Sequence, residues 1–243
     1  MISGLPADWA SGVRAGREGQ GEDGVGWGTG PRVAVDVVLF TIEDGGLKAL
    51  LIKIKEGPYA GMWAFPGGLV AAGEALEAAA RRELCEKTGL TDIYLEQLYT
   101  FGDPGRDPTR HVVAVSYFAL VPRPGRVLHS GLKYADAGWL PVEDLPPLAY
   151  DHRQVAAHAL RRLRAKAGYT NIVYSLLPRE FTLAEIQEIY EIILGRALDR
   201  RNFRRKLLAL ALLRPLPRKR HGAHRPAALY GFTRRRPMNV AVL

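Results

Sequence analysis

The chain has 243 residues, of which 47% are hydrophobic, so it is long enough for one large or two small packed domains. Its net charge of +9 is uneven: residues 196–236 contain 14 lysines and arginines and one acid, a net charge of +13, and the remainder carries −4. The single cysteine, Cys85, excludes an intrachain disulfide and favours a cytoplasmic location, and no apolar run is long enough to predict a membrane span. A near-neutral body with a strongly basic end predicts binding to nucleic-acid phosphates, with a solvated basic tail as the alternative.

The first ordered elements are expected after a glycine-rich start. Residues 1–31 contain nine glycines and little periodic apolar pattern, so we expect a disordered N-terminal extension. The β-branched run 33–42 and the apolar run 47–54 flank a turn at 43–46, which predicts a β-hairpin. Asp36, inside the first of these strands, is interpreted as a structural polar residue.

Alternating helices and strands follow as far as residue 165. The segment 74–87 is rich in Ala, Leu, Glu and Arg and precedes Gly89, which predicts a helix with a glycine stop. Asp151 is interpreted as the N-cap of a second helix that ends near Lys166. Strands are predicted between these helices at residues 93–101, 112–121 and 136–140. This order predicts an α/β domain over residues 32–165.

The pattern changes after Gly168, and residues 166–243 are predicted to form a second domain. Thr182 and Glu185 have the spacing of a capping box, which predicts a helix over 183–194. Asp199 can cap a second helix over 200–213, which is crowded with arginine. A basic loop at 218–225 and a strand-like run at 227–233 follow. The order predicts a winged helix-turn-helix.

The segment Gly68–Leu90 carries the clearest motif of the chain. It reads Gly68-x5-Glu74-x7-Arg82-Glu83-Leu84-x-Glu86-Lys87-x-Gly89-Leu90. This resembles the Nudix box, from which it departs at one fixed position, where Lys87 stands in place of a glutamate. The resemblance implies that the first domain is a Nudix-like α/β/α sandwich.

Lys87 bears directly on the chemistry of this motif. Glu83 and Glu86 are three residues apart on one helix face and could together hold Mg²⁺ through carboxylate oxygens. Lys87 lies on the same face and is expected to pair with Glu83 instead of binding a metal, since opposite charges ~4 Å apart attract by about 4 kcal/mol at an effective dielectric of 20. We therefore expect weak Mg²⁺ binding, no required cofactor, and weak or absent hydrolysis. An active hydrolase is the alternative.

Nucleotide binding could survive without catalysis. Gly67 and Gly68 allow a phosphate to approach the backbone closely. Trp63 and Phe65 could stack on a ring or belong to the core, and Arg106 and Arg110 could reach phosphates or lie in a solvated turn. The predicted ligand-binding residues are Trp63, Phe65, Gly67, Gly68, Arg82, Glu83, Glu86, Arg106 and Arg110.

The second helix of the basic domain has a divided pattern. Phe203, Leu207, Leu210 and Ala211 are spaced as a core stripe, and cations fill its first two turns. Such turns of a recognition helix meet base edges and phosphates, where Arg can bind guanine and Asn adenine. The predicted DNA-binding residues are Thr182, Arg200, Arg201, Asn202, Arg204, Arg205, Lys206, Arg218, Lys219, Arg220 and Arg225.

The whole chain from Val33 to Phe232 resembles the NrtR family, the Nudix-related transcriptional regulators of NAD metabolism. The resemblance rests on the altered box, on residues 148–152 before a long helix, on residues 177–183, and above all on Leu198-Asp-Arg-Arg-Asn-Phe-Arg-Arg-Lys-Leu207. It implies a homodimer that represses NAD biosynthesis or salvage genes and leaves its double-stranded DNA operator when ADP-ribose or a related nucleotide binds.

Three alternatives remain open at this point. One is a pyrophosphohydrolase of ADP-ribose or a similar dinucleotide, against which Lys87 counts. Another is a regulator of sugar catabolism genes with the same architecture, and the last is a non-specific nucleic-acid binder. In a regulator, a ligand signal would have to pass through the join between the domains, around residues 165–179.

Overall fold

A mixed β-sheet forms the centre of the first domain in this computed structural model, which describes residues 30–91, 93–122, 134–220 and 226–243. The predicted disordered extension, apart from its last two residues, and the predicted DNA contact Arg225 lie outside the described residues. The first domain contains β1 (Arg32–Glu43), β2 (Gly46–Ile54), β3 (Trp63–Ala64), β4 (Gly67–Leu69), α1 (Leu76–Thr88), β5 (Tyr94–Phe101), β6 (Val112–Leu120), β7 (Tyr134–Pro141) and α2 (His152–Tyr169). The second contains α3 (Leu183–Leu194), α4 (Arg200–Ala209), β8 (Leu213–Arg220) and β9 (Ala227–Phe232).

The strand order explains why β1 is buried on both sides. The sheet runs β3-β2-β1-β6-β5, with β4 also paired to β1 and β7 to β2. β1 forms the predicted hairpin with β2 and runs parallel to β6 from the pair Arg32–Val112 to the pair Phe40–Leu120. A β-branched run with neighbours on each edge therefore lies in the middle of the sheet.

Helices cover the two faces of this sheet. Side chains alternate along a strand, so Val37 and Leu39 face one way and Val38 and Phe40 the other. Val37 and Leu39 belong to the apolar cluster that contains Ala79, Ala80 and Leu84 of α1, and Val38 and Phe40 belong to the cluster that contains Val155, Ala159 and Leu163 of α2. The α/β/α sandwich predicted from the motif is confirmed.

The second domain packs on the same apolar cluster as α2. Phe40 of β1, Leu163 of α2 and Tyr190 of α3 belong to one continuous core, which also contains Phe203 of α4 and Phe232 of β9. The ring centroids of Tyr190 and Phe203 lie 5.2 Å apart. The two domains therefore share a core through α2.

The winged helix-turn-helix has the predicted order with one correction. α3 covers residues 183–194, as predicted, but α4 ends at Ala209 and not at residue 213. Ala211 adopts a positive φ of 52° and is exposed, so it is not part of the predicted core stripe. This left-handed residue directly follows the C-cap Leu210, so the helix does not continue to residue 213.

Strand β8 replaces part of the predicted basic loop. Arg218, Lys219 and Arg220 belong to β8, which pairs antiparallel with β9. The pairing register shifts between Pro215 and Lys219, so a bulge accommodates the prolines, which cannot donate to a ladder. None of the described helices is both long enough and apolar enough to cross a membrane.

Candidate functional site

A cavity of about 340 Å³ lies beside β1, β4 and the β5–β6 loop. Its size is within the usual range for small-molecule pockets. The apolar part of its lining includes Ile52, Ile54, Ala64 and Tyr150, and the charged part includes Asp36, Arg106, Asp107 and Arg110. This mixture suits a ligand with both a flat apolar group and an anionic group.

Arg106 is the most enclosed cation of this cavity. Its Nε lies 3.0 Å from Oδ2 of Asp151, and its Nη2 lies 2.8 Å from Oδ1 of the same residue and 3.3 Å from Oδ2 of Asp36. Only 7% of Arg106 is exposed, so it does not lie in a solvated turn. Burial acts to lower the pKa of Arg106, but the two carboxylates outweigh it and the pKa is raised. Arg106 therefore stays charged.

His152, the first residue of α2, lies in the same charged cluster as Asp36, Arg106 and Asp151. Its Nδ1 accepts a hydrogen bond from the amide of Phe65 at 3.0 Å, so a neutral ring carries its proton on Nε2. Nε2 lies 3.5 Å from Oδ1 of Asp36 and has no hydrogen-bond partner within the described ranges. Burial acts to raise the pKa of Asp36, but His152, Arg106 and Lys87 more than offset it and the pKa is lowered. Asp36 is thus an ionised carboxylate in the core.

Short side chains fold the β5–β6 loop that presents Arg106. Oδ1 of Asp103 accepts the amide of Gly105 at 2.7 Å, and Oδ1 of Asp107 accepts the amide of Thr109 at 2.8 Å. Such turns are typical of Asp in loops. They direct Arg106 inwards between two local turns.

The altered Nudix box begins at Gly68 on β4 and includes the whole of α1. Nζ of Lys87 lies 2.5 Å from Oε2 of Glu83, which confirms the predicted pairing, and also donates to the carbonyl of Gly67. Nη1 of Arg82 lies 2.6 Å from the other oxygen of Glu83. Arg82 also binds both oxygens of Glu74, at 2.7 and 2.9 Å, and lowers the pKa of Glu74 to about 2.

These contacts do not fit a Mg²⁺ site. Mg²⁺ requires carboxylate oxygens that are free to coordinate it. Both oxygens of Glu83 already accept hydrogen bonds from cations, and Glu86 is a half-exposed carboxylate 3.7 Å from Arg82. Within the described parts of the chain, no group of three or more His, Cys, Asp or Glu residues is arranged to hold a metal ion.

The predicted ligand-binding residues fall into two groups. Those that line the cavity are Phe65, Gly67, Gly68, Arg106 and Arg110, and those outside its lining are Trp63, Arg82, Glu83 and Glu86. Trp63 is half-buried against the core, with the ammonium of Lys53 5.8 Å from its ring centroid. A side chain at position 67 would collide with the backbone of Val35, and one at 68 with Glu83. Ligand contact by any of these residues stays a prediction.

Helix α4 exposes an unbalanced set of cations. The carboxylate of Asp199 accepts the amide of Asn202 at 2.7 Å, which confirms the predicted N-cap. The exposed polar residues of its first two turns are Arg200, Arg201, Asn202, Arg205 and Lys206. Among the described residues, none of the basic side chains of α4 forms an ion pair. Their charge is therefore available to an external polyanion.

Two further predicted DNA contacts are partly enclosed. Nε of Arg204 is buried and has no hydrogen-bond partner among the residues described. Partial burial and the neighbouring Arg200 lower the pKa of Arg204. Thr182 is buried, and its hydroxyl accepts the amide of Glu185 while the Glu185 carboxylate accepts the amide of Thr182. This confirms the capping box, and a DNA contact by Thr182 would use its remaining hydroxyl proton.

Strands β8 and β9 form the wing of the winged helix domain. Its arginines differ from those of α4 because they already have acidic partners. Arg218 pairs with Glu180 and Arg220 with Glu185, which ties β8 to the start of α3. Lys219 is exposed on the same strand. Backbone hydrogen bonds between Phe181 and Tyr230 hold β9 to this segment as well.

The last residues of the chain bind the segment that joins α2 to α3. Nη2 of Arg235 lies 2.6 Å from the carbonyl oxygen of Tyr174 and 2.7 Å from that of Leu177. The amide of Val240 donates to the carbonyl of Tyr169 at 2.9 Å. The join between the domains is therefore enclosed by the C-terminal segment.

Family models match both domains in this order. Residues 30–163 match the NUDIX domain, and residues 173–232 match the NrtR DNA-binding winged helix domain. An ADPR responsive transcriptional repressor NtrR of Acinetobacter baylyi is 37% identical over 207 residues, which cover 83% of this chain and 82% of that protein. The chain belongs to the NrtR family. In this chain, the cavity lies in the part that matches the NUDIX domain, and α4 lies in the part that matches the winged helix domain.

Solved structures of Shewanella oneidensis NrtR extend the likeness to the fold. The structure of that protein complexed with a 27mer DNA has a TM-score of 0.75 and 36% identity, over 83% of this chain and 93% of that one. Its NUDIX domain complexed with ADP ribose has a TM-score of 0.52 and 36% identity, over 56% of this chain and 90% of that one. An ADP-ribose pyrophosphatase of Methanocaldococcus jannaschii is 36% identical over 54% of this chain and 74% of that protein.

Sequence reasoning missed Asp36, Tyr150 and His152, which line the cavity, and Asp151, which binds Arg106 from outside that lining. Asp36 and Asp151 were interpreted as structural and as a helix cap, and His152 and Tyr150 received no ligand role. Asp151 does occupy the N-cap position of α2, but its side chain makes no capping hydrogen bond and binds Arg106 instead. One available sign was Asp36 itself, the one charged residue in the apolar run 33–40.

Proposed function

We propose that this protein is a transcriptional repressor that binds an operator through its winged helix domain and leaves it when ADP-ribose occupies the NUDIX cavity. The observation that carries this proposal is that one packed unit contains a ligand-sized cavity and a helix, α4, whose cations form no ion pair with any described residue. The relatives bring the same two parts together, since one is named as ADPR responsive and another was solved with DNA.

The DNA side of the proposal rests on α4. Arg200, Arg201 and Arg205 are exposed on its first turns, where a recognition helix meets the major groove. Arg218 and Arg220 of the wing would contact the phosphate backbone. We further propose a homodimer that binds two half-sites about one helical turn apart, because a two-fold protein matches a near-palindromic operator.

The ligand side rests on the lining of the cavity. ADP-ribose combines a flat adenine with two phosphates. Ile52, Ile54 and Tyr150 offer apolar surface for a ring, and Arg106 and Arg110 offer cations for phosphates. Genes of NAD synthesis or salvage are the proposed targets, since ADP-ribose is a breakdown product of NAD.

A hydrolase is the second candidate, favoured by the likeness to the archaeal ADP-ribose pyrophosphatase. The cations around Glu83 count against it, so we propose that ligand binding needs no metal. The decisive assay is hydrolysis of ADP-ribose with Mg²⁺ or Mn²⁺. A turnover of about 1 s⁻¹ or more, ordinary for an enzyme, would favour catalysis.

The repressor is tested by fluorescence anisotropy of the full chain on DNA from upstream of its own gene. Binding should weaken steeply with salt, and ADP-ribose should release the DNA. If Arg204 or Arg205 contacts a base, its replacement by alanine should reduce the binding free energy by about 1–3 kcal/mol. If it contacts a phosphate, the replacement should reduce the slope of log affinity against log salt concentration by about 1. The matched control is Arg161→Ala, an exposed arginine on α2. The recognition-helix assignment is lost if both α4 variants bind as tightly as that control.

A further inference from the structure

Helix α2 connects the cavity to the winged helix domain. It begins at His152, which lines the cavity, and runs for 18 residues to Tyr169 at the join. A helix of that length spans about 27 Å at 1.5 Å per residue. A displacement of its first turn can therefore move residues of the winged helix domain, provided that both ends of α2 are fixed to their neighbours.

The far end of α2 is fixed in this way. Nε of Arg164 donates to the carbonyl oxygen of Ile193, in the last turn of α3, at 3.0 Å. Leu163, one residue earlier, is fully buried in the core that both domains share. The amide of Val240 binds Tyr169 at the end of the helix. α2 and α3 are thus joined by a hydrogen bond and by packing.

The near end of α2 is held by an unusual contact. Asp151 stands at the N-cap, where Asp normally accepts an amide of the first turn. Its side chain makes no such bond, and both of its oxygens accept hydrogen bonds from Arg106. The first turn of α2 is therefore tied to the β5–β6 loop by a buried ion pair.

Arg106 can also serve a ligand. Its Nε and Nη2 are used by Asp151 and Asp36, whereas within the described residues its Nη1 has no hydrogen-bond partner. The guanidinium lines the cavity together with Arg110. A phosphate that bound it would compete with the carboxylate of Asp151, because both are anions that suit the planar fork of arginine.

We propose that the Arg106–Asp151 pair is the contact through which occupancy of the cavity reaches the winged helix domain, a proposal that rests on the function proposed above. In the empty protein the pair holds the start of α2 in the DNA-binding arrangement. An anionic ligand draws Arg106 away, and Asp151 then caps the first turn of α2. The helix shifts, and α3 shifts with it through Arg164.

The test uses the full chain with Asp151→Asn and Asp151→Ser. Both new residues are good N-caps, so each removes the ion pair and leaves a side chain that can cap the first turn of α2. The matched control is Asp144→Asn, which makes the same chemical change at an exposed acid just before α2. For each protein, operator affinity is measured with and without ADP-ribose, and ADP-ribose affinity is measured calorimetrically without DNA.

The affinity for the operator should fall, and the affinity for ADP-ribose should not. Without ligand, the Asp151 variants should bind the operator about tenfold more weakly than wild type, within the usual range of coupling between sites. By linkage they should bind ADP-ribose at least as tightly as wild type, since no ion pair has to be broken. ADP-ribose should then release little further DNA, whereas Asp144→Asn should behave as wild type.

Other outcomes separate the two proposals. If the Asp151 variants keep the wild-type release factor, or if both of their affinities fall together, the pair is merely structural and the inference is overturned. If wild type is not released by ADP-ribose, the proposed effector is wrong. The inference is then judged on ligand-free operator affinity, where equal values for Asp151→Asn and Asp144→Asn overturn it.

Discussion

The ammonium nitrogen of Lys87 lies 2.5 Å from Oε2 of Glu83, one turn earlier on α1. Both side chains are buried, and Lys87 also donates to the carbonyl of Gly67. A fixed positive charge therefore occupies the place where a Nudix enzyme would need a third carboxylate. The residues of the box still form a loop and a helix, but the charge at position 87 is opposite to that of the glutamate in the Nudix box.

Lys87→Glu should raise any residual hydrolysis of ADP-ribose. The substitution removes the cation from Glu83 and adds a carboxylate on the same helix face, which would favour Mg²⁺. We expect at least a tenfold gain in turnover with Mg²⁺ or Mn²⁺, equivalent to about 1.4 kcal/mol of barrier. Lys206→Glu on α4 makes the same charge change far from the box in sequence and should give no gain. An unchanged rate in Lys87→Glu would mean that another feature prevents catalysis.

Asp36→Asn should destabilise the protein near neutral pH. It removes the carboxylate shared by Arg106 and His152, and breaking a buried ion pair costs about 3 kcal/mol or more. Because the pKa of Asp36 is lowered by folding, its stabilisation is present above the ordinary carboxyl pKa and is lost as the pH falls through the lower folded value.

The difference in unfolding free energy between wild type and Asp36→Asn should therefore shrink as the pH falls below about 4, the ordinary pKa of Asp. This difference is measured by urea unfolding of both proteins at neutral pH and at the lowest pH where both are folded. Glu143→Gln, at an exposed acid, serves as the control. A deficit that stays constant across this pH range would contradict an ionised Asp36.

Glu180→Gln should strengthen operator binding. The carboxylate of Glu180 pairs with Arg218 of the wing and competes with DNA phosphates for it. An exposed pair contributes at most about 1 kcal/mol, so the gain in affinity should not exceed about fivefold. Glu188→Gln removes the same charge from an exposed position on α3, and anisotropy on the operator compares the two. Equal gains would indicate general repulsion and no role for the ion pair.

Gly67→Ala should be more disruptive than Gly68→Ala. A Cβ at 67 would collide with the carbonyl oxygen of Val35, which belongs to the central strand and cannot move away. A Cβ at 68 would meet the end of the Glu83 side chain, which can rotate. Overpacking typically reduces the free energy of unfolding by about 1–3 kcal/mol. The loss for Gly67→Ala, measured by thermal unfolding, should lie in or above that range. Gly138→Ala, with open space around its Cβ, is the control, and equal stability of the 67 and 68 variants would refute this ranking.

Local spacing predicted those features whose partners are close in sequence. The Lys87–Glu83 pair, the Thr182–Glu185 capping box and the Asp199 cap all follow from offsets of three or four residues, which the helix converts into contact. The end of α4 was misplaced because apolar residues continue to residue 213. The conformation of Ala211, which ends the helix, has no signature in its own side chain.

The charged cluster of the cavity could not be predicted in the same way. Arg106 is 45 residues from Asp151 and 70 from Asp36, and His152 is 87 residues from Phe65, whose amide it binds. The pairing of β1 with β6 and with β4, together with the bridge between Trp63 and Leu148, brings these segments together. Asp36 was interpreted as structural because a single polar residue in a strand does not show which residues or ligand it contacts.

Helix α2 has a consequence for how such a protein can evolve. Its buried face contributes Val155, Ala159 and Leu163 to packing that reaches both the sheet and α3. The NUDIX match ends at residue 163, so the border between the two matched domains begins inside a helix whose apolar side chains pack against both of them. A winged helix transferred from this chain to a different sensor would lose the apolar surface that α2 provides, so exchange of modules between regulators should require α2 to be transferred with it.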